Sequence, residues 1–272
     1  MQEPRRWEHA GAWLFGGLLC WHVANRLLAR EGAGSDAELW ATLVSQGLWV
    51  CLAASGAVLA RGESAAERLG LGPGRVRASS VVILVAGLLA LSDGLSLILS
   101  ALEVRHTGAL GEVERMVAGA EPPPFLLALL CLGIAPGVGE EILFRGLIQR
   151  GLTRRLGPLA GVVLTAGIFA AAHLDPAQSP AAFLLGLYLG AVTQLAGSTR
   201  PAIACHVANN VLATAAARFG GLQVPGAAGL VAPVLLGAAL GILVWVWRRE
   251  THRSPRGIQA EPESCSERAD RP

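Results

Sequence analysis

Two adjacent carboxylates, Glu140 and Glu141, lie at the start of a long apolar run. Glu141 and Arg145 are four residues apart, so on a helix they share one face and can pair. Glu140 is rotated by about 100° from Glu141 on a helix and stays available for other chemistry. A salt bridge that only locks the helix accounts for Glu141 and Arg145 but not for Glu140. Residues just before the carboxylates predict a break or kink in the helix: Gly133, Pro136, Gly137 and Gly139.

Two histidines occupy similar apolar surroundings further along the chain. His173 ends a run in which it follows Phe169 by four residues, and His206 precedes Asn210 by the same spacing. Taken alone, His173 is equally well explained as a helix cap or as a partner of a backbone carbonyl. His206 and Asn210 share a helical face, and alone they are equally well explained as hydrogen-bonding glue between helices.

Together these groups predict water-activating chemistry. A carboxylate such as Glu140 takes a proton from water, and His173 helps to orient that water. His206 and Asn210 donate hydrogen bonds to a developing oxyanion. As an alternative, Glu140, His173 and His206 form three metal ligands with an open position for water, which is the ligand count of catalytic zinc. The residue pattern leaves both alternatives open.

The rest of the sequence predicts a membrane protein. Hydrophobic residues make up 53% of the 272 residues, the mean hydropathy is +0.49, and charged residues are only 15%, against about 25% in soluble domains. A spanning helix needs about 20 largely apolar residues, and about eight segments qualify or nearly qualify. We therefore predict an all-α, polytopic membrane helix bundle. The segments are 9–28, 39–60, 81–101, 124–149, 158–174, 181–197, 201–218 and 226–247.

The charges predict orientation and partners. Arginines concentrate in every second loop, which places both termini in the cytoplasm. All 22 basic residues are Arg, a composition that points to a bacterial inner-membrane protein. A net charge of +2 is too small to indicate a nucleic-acid partner. The five cysteines show no paired spacing, so neither a disulfide framework nor a zinc knuckle is predicted. Asp93 lies within segment 81–101, and no mechanism is predicted for it.

Three motifs, in this order, resemble the CPBP family of intramembrane proteases, which includes the CAAX prenyl endopeptidases and bacterial Abi-type relatives. They are EExxxR, FxxxH and HxxxN, and they fall within residues 124–218. HExxH, the helix motif of soluble zinc proteases, is absent from the sequence. The matching residues are Glu140, Glu141, Arg145, Phe169, His173, His206 and Asn210.

The resemblance implies an eight-helix membrane bundle with a polar cavity, and peptide-bond hydrolysis within or next to the membrane. Glu140 and His173 would activate water, and His206 and Asn210 would stabilise the oxyanion. Supporting roles would fall to Glu141, Arg145 and Phe169. Both a Zn²⁺ mechanism and a metal-free glutamate mechanism have been argued for the family, so Zn²⁺ is an optional cofactor.

The expected organisation has four parts: motif-free helices in 1–123, a catalytic core in 124–218, a last spanning helix in 219–249 and a disordered tail in 250–272. The expected substrate is a membrane-anchored peptide or protein C-terminal tail. Related bacterial proteins are linked to bacteriocin self-immunity or to protein sorting. The rival hypothesis is a non-catalytic scaffold, immunity factor or small transporter that uses the same polar residues structurally.

The depths of the predicted catalytic residues are a check on this scheme. Glu140 and His173 both lie about 22–24 Å along their helices from the turn at 154–157, so they can face each other. His206 lies only about 9 Å from Arg200 by the same measure. If both turns are cytoplasmic, the depths agree only when the hairpin around 150–157 protrudes beyond the membrane.

Overall fold

The computed structural model describes residues 64–104, 108–118, 120–220, 224 and 226–251. These residues contain eight helices and no strand, which confirms the predicted all-α membrane bundle. The predicted spans 9–28 and 39–60 lie outside the described residues, as does nearly all of the predicted tail. The helices are α1 Ala65–Arg68, α2 Ala78–Ala101, α3 Gly108–Val117, α4 Pro122–Leu156, α5 Pro158–Ala172, α6 Ser179–Ala196, α7 Arg200–Phe219 and α8 Ala228–Thr251.

Prolines and glycines set the helix boundaries. A proline lies in the first turn of α4, α5, α6 and α7, where its missing N–H is not needed. Gly157, Gly197 and Gly220 follow α4, α6 and α7 with φ values of +86°, +64° and +94°. These angles favour glycine, so each helix ends where the sequence supplies one.

Within the described residues, α2, α4, α6 and α8 are long and apolar enough to cross a membrane, and α5 is a shorter apolar helix. The six predicted segments from 81–101 onward are therefore all helical, with ends shifted by a few residues. Polar side chains in the middle of α7 lower its hydropathy. Helix α3 was not predicted, because its polar residues gave no apolar run to detect.

Helix α4 is 35 residues long, or about 52 Å at 1.5 Å per residue. It is not broken at Gly133, Pro136 or Gly137, so this part of the expectation is wrong. Instead the α-helical stretch Ala135–Glu141 lies between two π-helical stretches, Leu129–Ile134 and Ile142–Gln149. The wider π-helical turns absorb the irregularity without ending the helix, and such turns are frequent at functional sites.

The backbones of α4 and α7 approach closely at two glycines. A Cβ added to Gly137 would lie 2.7 Å from the backbone N of Val207 and 2.8 Å from its Cα. A Cβ on Gly133 would lie 2.9 Å from Cγ2 of Val211. The two glycines are four residues apart, as are the two valines, which is the small-residue spacing that lets membrane helices pack tightly.

The segment before α2 anchors the start of α7. Thr199 Oγ1 donates to the Leu69 carbonyl at 2.7 Å, and Thr199 N donates to the Gly70 carbonyl at 2.9 Å. Arg150 Nε donates to the Arg68 carbonyl at 3.0 Å and so joins the same segment to α4. These bonds fix the positions of α4, which carries the two carboxylates, and of α7, which carries His206.

We predict that Gly137→Ala destabilises the protein by about 1–3 kcal/mol, because its methyl group would overlap the Val207 backbone. The matched control is Gly167→Ala in α5, where an added Cβ meets nothing within 4 Å. Thermal unfolding in detergent micelles should show a lower midpoint for Gly137→Ala and an equal or higher one for the control. Equal midpoints for Gly137→Ala and wild type would contradict the close approach.

Candidate active site

The buried carboxylate of Glu141 joins α4 to α7. Its Oε1 accepts a hydrogen bond from Arg145 Nη1 at 2.7 Å and lies 2.7 Å from His206 Nδ1. The Glu141 and Arg145 side chains are fully buried. The predicted pairing of Glu141 with Arg145 is therefore present, whereas the contact with His206 was not predicted. The short distance also places Glu141 and His206 at one level of the bundle, and the depth of the site in the membrane stays a prediction.

This contact determines which nitrogen of His206 can meet a substrate. With the Glu141 carboxylate as the acceptor, Nδ1 of His206 carries the proton and donates a hydrogen bond to Oε1. Nε2 is then the ring nitrogen left for another partner. A carboxylate that holds a histidine by Nδ1–H fixes its tautomer and its ring orientation, as in catalytic triads.

A row of polar side chains on α4 fixes this helix against α6. Arg145 Nη2 donates to the Gly186 carbonyl at 3.2 Å, and Gln149 Nε2 donates to the Gly190 carbonyl at 3.0 Å. One turn further on, Gln194 Nε2 of α6 donates a hydrogen bond to Thr153 Oγ1 of α4 at 2.9 Å. Because the bonding residues on each helix are four apart, these three bonds lie along one line of contact between α4 and α6. They fix the Arg145 side chain next to Glu141.

The ring of Phe169 brings the three motifs together. Its centroid lies 4.8 Å from that of His173 and 6.0 Å from that of His206, both in edge-to-face geometry. The guanidinium carbon of Arg145 lies 4.5 Å from the same centroid, a cation–π distance. Each of the three motifs therefore contributes at least one side chain to a single contact cluster.

His173 is held by the last turn of its own helix. Its Nδ1 lies 2.8 Å from the Phe169 carbonyl oxygen. A carbonyl only accepts hydrogen bonds, so Nδ1 carries the proton and Nε2 is the acceptor nitrogen of the neutral ring. This tautomer suits a histidine that orients water or takes a proton from it.

Glu140 and Asn210, the other two predicted catalytic residues, are both half-buried. Glu140 directly precedes Glu141 on α4, and Asn210 lies one turn after His206 on α7. Asn210 Oδ1 accepts from Asn209 Nδ2 at 3.2 Å, which leaves its own Nδ2 as the end that can donate to a substrate. The catalytic roles assigned to Glu140 and Asn210 stay predictions.

Two polar residues of the site were missed. Gln149 is fully buried in an apolar run four residues after Arg145, and that spacing was a usable signal. Asn209 is 8% exposed and orients Asn210, but its place beside Asn210 in the sequence did not show which of the two faces the site.

The metal alternative for Glu140, His173 and His206 stays a prediction. Among them, no group of three or more His, Cys, Asp or Glu side chains is placed to hold a metal ion. The predicted set Glu140, His173 and His206 is thus not assembled as a metal centre in this arrangement. Participation of Zn²⁺ stays a prediction for a chelator experiment.

Residues 122–212 match the family model described as type II CAAX prenyl endopeptidase Rce1-like. The match runs from the first residue of α4 into α7 and contains all three motifs, and it leaves α2, α3 and α8 outside. No curated protein and no solved structure matches the chain. The family match confirms the resemblance to the CPBP and CAAX proteases and, with the apolar helices, indicates an integral membrane protein.

We predict that Arg145→Met destabilises the fold by about 3–5 kcal/mol, because it leaves the buried Glu141 carboxylate without its cation. The double variant Glu141→Gln, Arg145→Met should lose less than Arg145→Met alone, because it removes both charges. Thermal unfolding is measured in one detergent for wild type, the two single variants Glu141→Gln and Arg145→Met, and the double variant. The four midpoints give the coupling free energy between the two residues. Additive losses from the two single substitutions would contradict a coupled buried pair.

Proposed function

We propose that this chain, which carries the CAAX endopeptidase segment in α4 to α7, is an intramembrane endopeptidase. Its substrate is a membrane-anchored peptide or protein C-terminal tail. The observation that carries the proposal is the cluster around Phe169, in which side chains of all three motifs meet among apolar helices. The family match over the same residues supports the same reaction class.

In the proposed mechanism, Glu140 is the general base. Its carboxylate takes a proton from water while Nε2 of His173 accepts the second hydrogen bond of that water. The water oxygen attacks the carbonyl carbon of the scissile peptide bond and forms a tetrahedral intermediate. Glu140 then returns the proton to the leaving nitrogen, and the C–N bond breaks.

The oxyanion of the intermediate needs donors on α7. Nδ2 of Asn210 supplies one hydrogen bond, and Nε2 of His206 supplies the other when that ring carries two protons. Glu141 holds this ring through Nδ1, which lies 2.7 Å from its Oε1. Arg145 Nη1 binds the same Oε1 at 2.7 Å, so the position of the His206 ring is fixed before the reaction begins.

Apolar side chains near His173 support a substrate that approaches from the lipid. Leu164 and Ile168 are 46% and 39% exposed on α5. An apolar surface of this kind suits a tail attached to a membrane anchor. We place the protein in a bacterial inner membrane with both termini in the cytoplasm, where bacteriocin immunity and protein sorting are the candidate processes.

We predict that Glu140→Gln lowers cleavage by at least about 100-fold, because an amide cannot act as a general base. The purified protein in detergent is assayed against a library of membrane-anchored C-terminal tails. The control is Glu121→Gln, the same substitution at an exposed position before α4, which should cleave like wild type. Wild-type cleavage by Glu140→Gln would reject the mechanism.

The same assay includes a chelator and the variants His173→Ala and His206→Ala, which we expect to be folded and inactive. Loss of wild-type cleavage with chelator would favour the Zn²⁺ mechanism over the metal-free one. If the wild-type protein cleaves no tail, the result would favour the rival hypothesis of a non-catalytic scaffold, immunity factor or small transporter.

A further inference from the structure

The turn that follows His173 contains a buried acid outside all three motifs. Asp175 is 6% exposed, although acidic side chains are seldom so buried. Its Oδ1 accepts hydrogen bonds from the backbone N of Ala177 at 2.8 Å and of Gln178 at 3.2 Å. The Asp175 backbone carbonyl accepts from Ser179 N at 2.8 Å. The side chain and backbone of this residue thus hold the whole connection between α5 and α6.

The same turn contains an unusual backbone angle. Leu174 has a φ of +54°, a conformation that costs a branched side chain energy and that persists only where neighbouring contacts impose it. His173 N and Leu174 N donate to the carbonyls of Ala170 and Ala171, both at 3.2 Å. The last turn of α5 is therefore tightened, and the chain reverses directly after His173.

A hydroxyl from α6 completes the connection. Ser179 Oγ donates to the Ala170 carbonyl at 3.0 Å, the same carbonyl that accepts from His173 N. The His173 ring takes its position from this last turn, since its Nδ1 bonds to the Phe169 carbonyl. If the turn opens, the ring loses the backbone that orients it.

We propose that Asp175 is a positioning residue for His173. By accepting the amides of Ala177 and Gln178 at the end of the connection, it keeps Leu174 in the left-handed conformation and holds the end of α5 closed, so that Nε2 of His173 stays directed at the reacting water. This inference rests on the proposed protease function. The acceptor oxygen carries the role, so an asparagine at this position can replace the acid.

The first experiment compares steady-state cleavage by wild type, Asp175→Ala and Asp175→Asn on the tail cleaved best by wild type. A catalytic group displaced by about 1 Å loses up to about 100-fold in rate. We expect kcat of Asp175→Ala to fall about 10- to 100-fold with KM nearly unchanged. Asp175→Asn should retain kcat, because its Oδ1 still accepts both amides. Wild-type kcat in Asp175→Ala, or equal losses in the two variants, would overturn the proposal.

Ser64→Ala is the control for a lost cap. Ser64 Oγ accepts from Glu67 N at 3.3 Å in α1, so its removal also deletes a side-chain cap, but far along the chain from His173. Ser64→Ala should keep wild-type kcat. An equal loss of kcat in Ser64→Ala and Asp175→Ala would mean general destabilisation and would overturn the proposal.

A second pair of variants tests the turn without altering the acid. Leu174→Gly adopts positive φ freely and should keep kcat, whereas Leu174→Val is β-branched and resists that angle. Leu174→Val should therefore show the same loss of kcat as Asp175→Ala. If Asp175→Ala does not fold, this pair of variants tests the positioning role on its own. Wild-type kcat in Leu174→Val would overturn the proposal.

Histidine NMR separates this inference from the proposed function. In protein with ¹⁵N-labelled histidine, the signal missing from His173→Gln identifies His173. We expect protonated Nδ1 in wild type and Asp175→Asn, and averaged Nδ1 and Nε2 signals in Asp175→Ala or Leu174→Val. Unchanged signals in both of these variants would overturn the positioning role, even if wild type cleaves no tail and the protease proposal fails.

Discussion

The structure of the site depends on one buried negative charge, that of Glu141. A carboxylate among apolar helices is costly unless cations and hydrogen bonds compensate for it. Here one compensating group comes from the same helix, Arg145, and the other from α7, His206, both at 2.7 Å from Oε1. Oε1 therefore has both partners only when α4 and α7 are packed together, while Oε2 is buried without a hydrogen-bond partner among the described residues. The contact that compensates the buried Glu141 carboxylate therefore also fixes the position of the His206 ring.

Small residues make that packing close enough. Gly133 and Gly137 let the α4 backbone touch α7 immediately before the carboxylates, and further along α4 Arg145 and Gln149 donate to the carbonyls of Gly186 and Gly190 in α6. Helix α4 is thus held between two neighbours by its glycines and by its polar row. The π-helical stretch Ile142–Gln149 contains Arg145 and Gln149, so the irregular helix and the polar row coincide.

Much of this arrangement follows from local spacing, and the rest depends on tertiary contacts. The apolar segments, the pairing of Glu141 with Arg145 and the family resemblance could all be predicted, because each depends on residues close in sequence or on a short motif. The contact between Glu141 and His206 could not, because it depends on how α4 and α7 cross. Gly133, Pro136, Gly137 and Gly139 were expected to break or kink α4; the helix is not broken there and continues through π-helical turns. The α3 helix was missed because it lacks an apolar run.

The most direct test of the central claim, that Glu141 holds His206 through Nδ1, is the protonation pattern of the His206 ring. In protein with ¹⁵N-labelled histidine in detergent, the signal missing from His206→Gln identifies His206. We expect a proton on Nδ1 in wild type, with a downfield shift typical of a short hydrogen bond to a carboxylate, and a clear change of that signal in Glu141→Gln. An unprotonated Nδ1, or a His206 signal that is the same in Glu141→Gln, would show that Glu141 does not hold the ring.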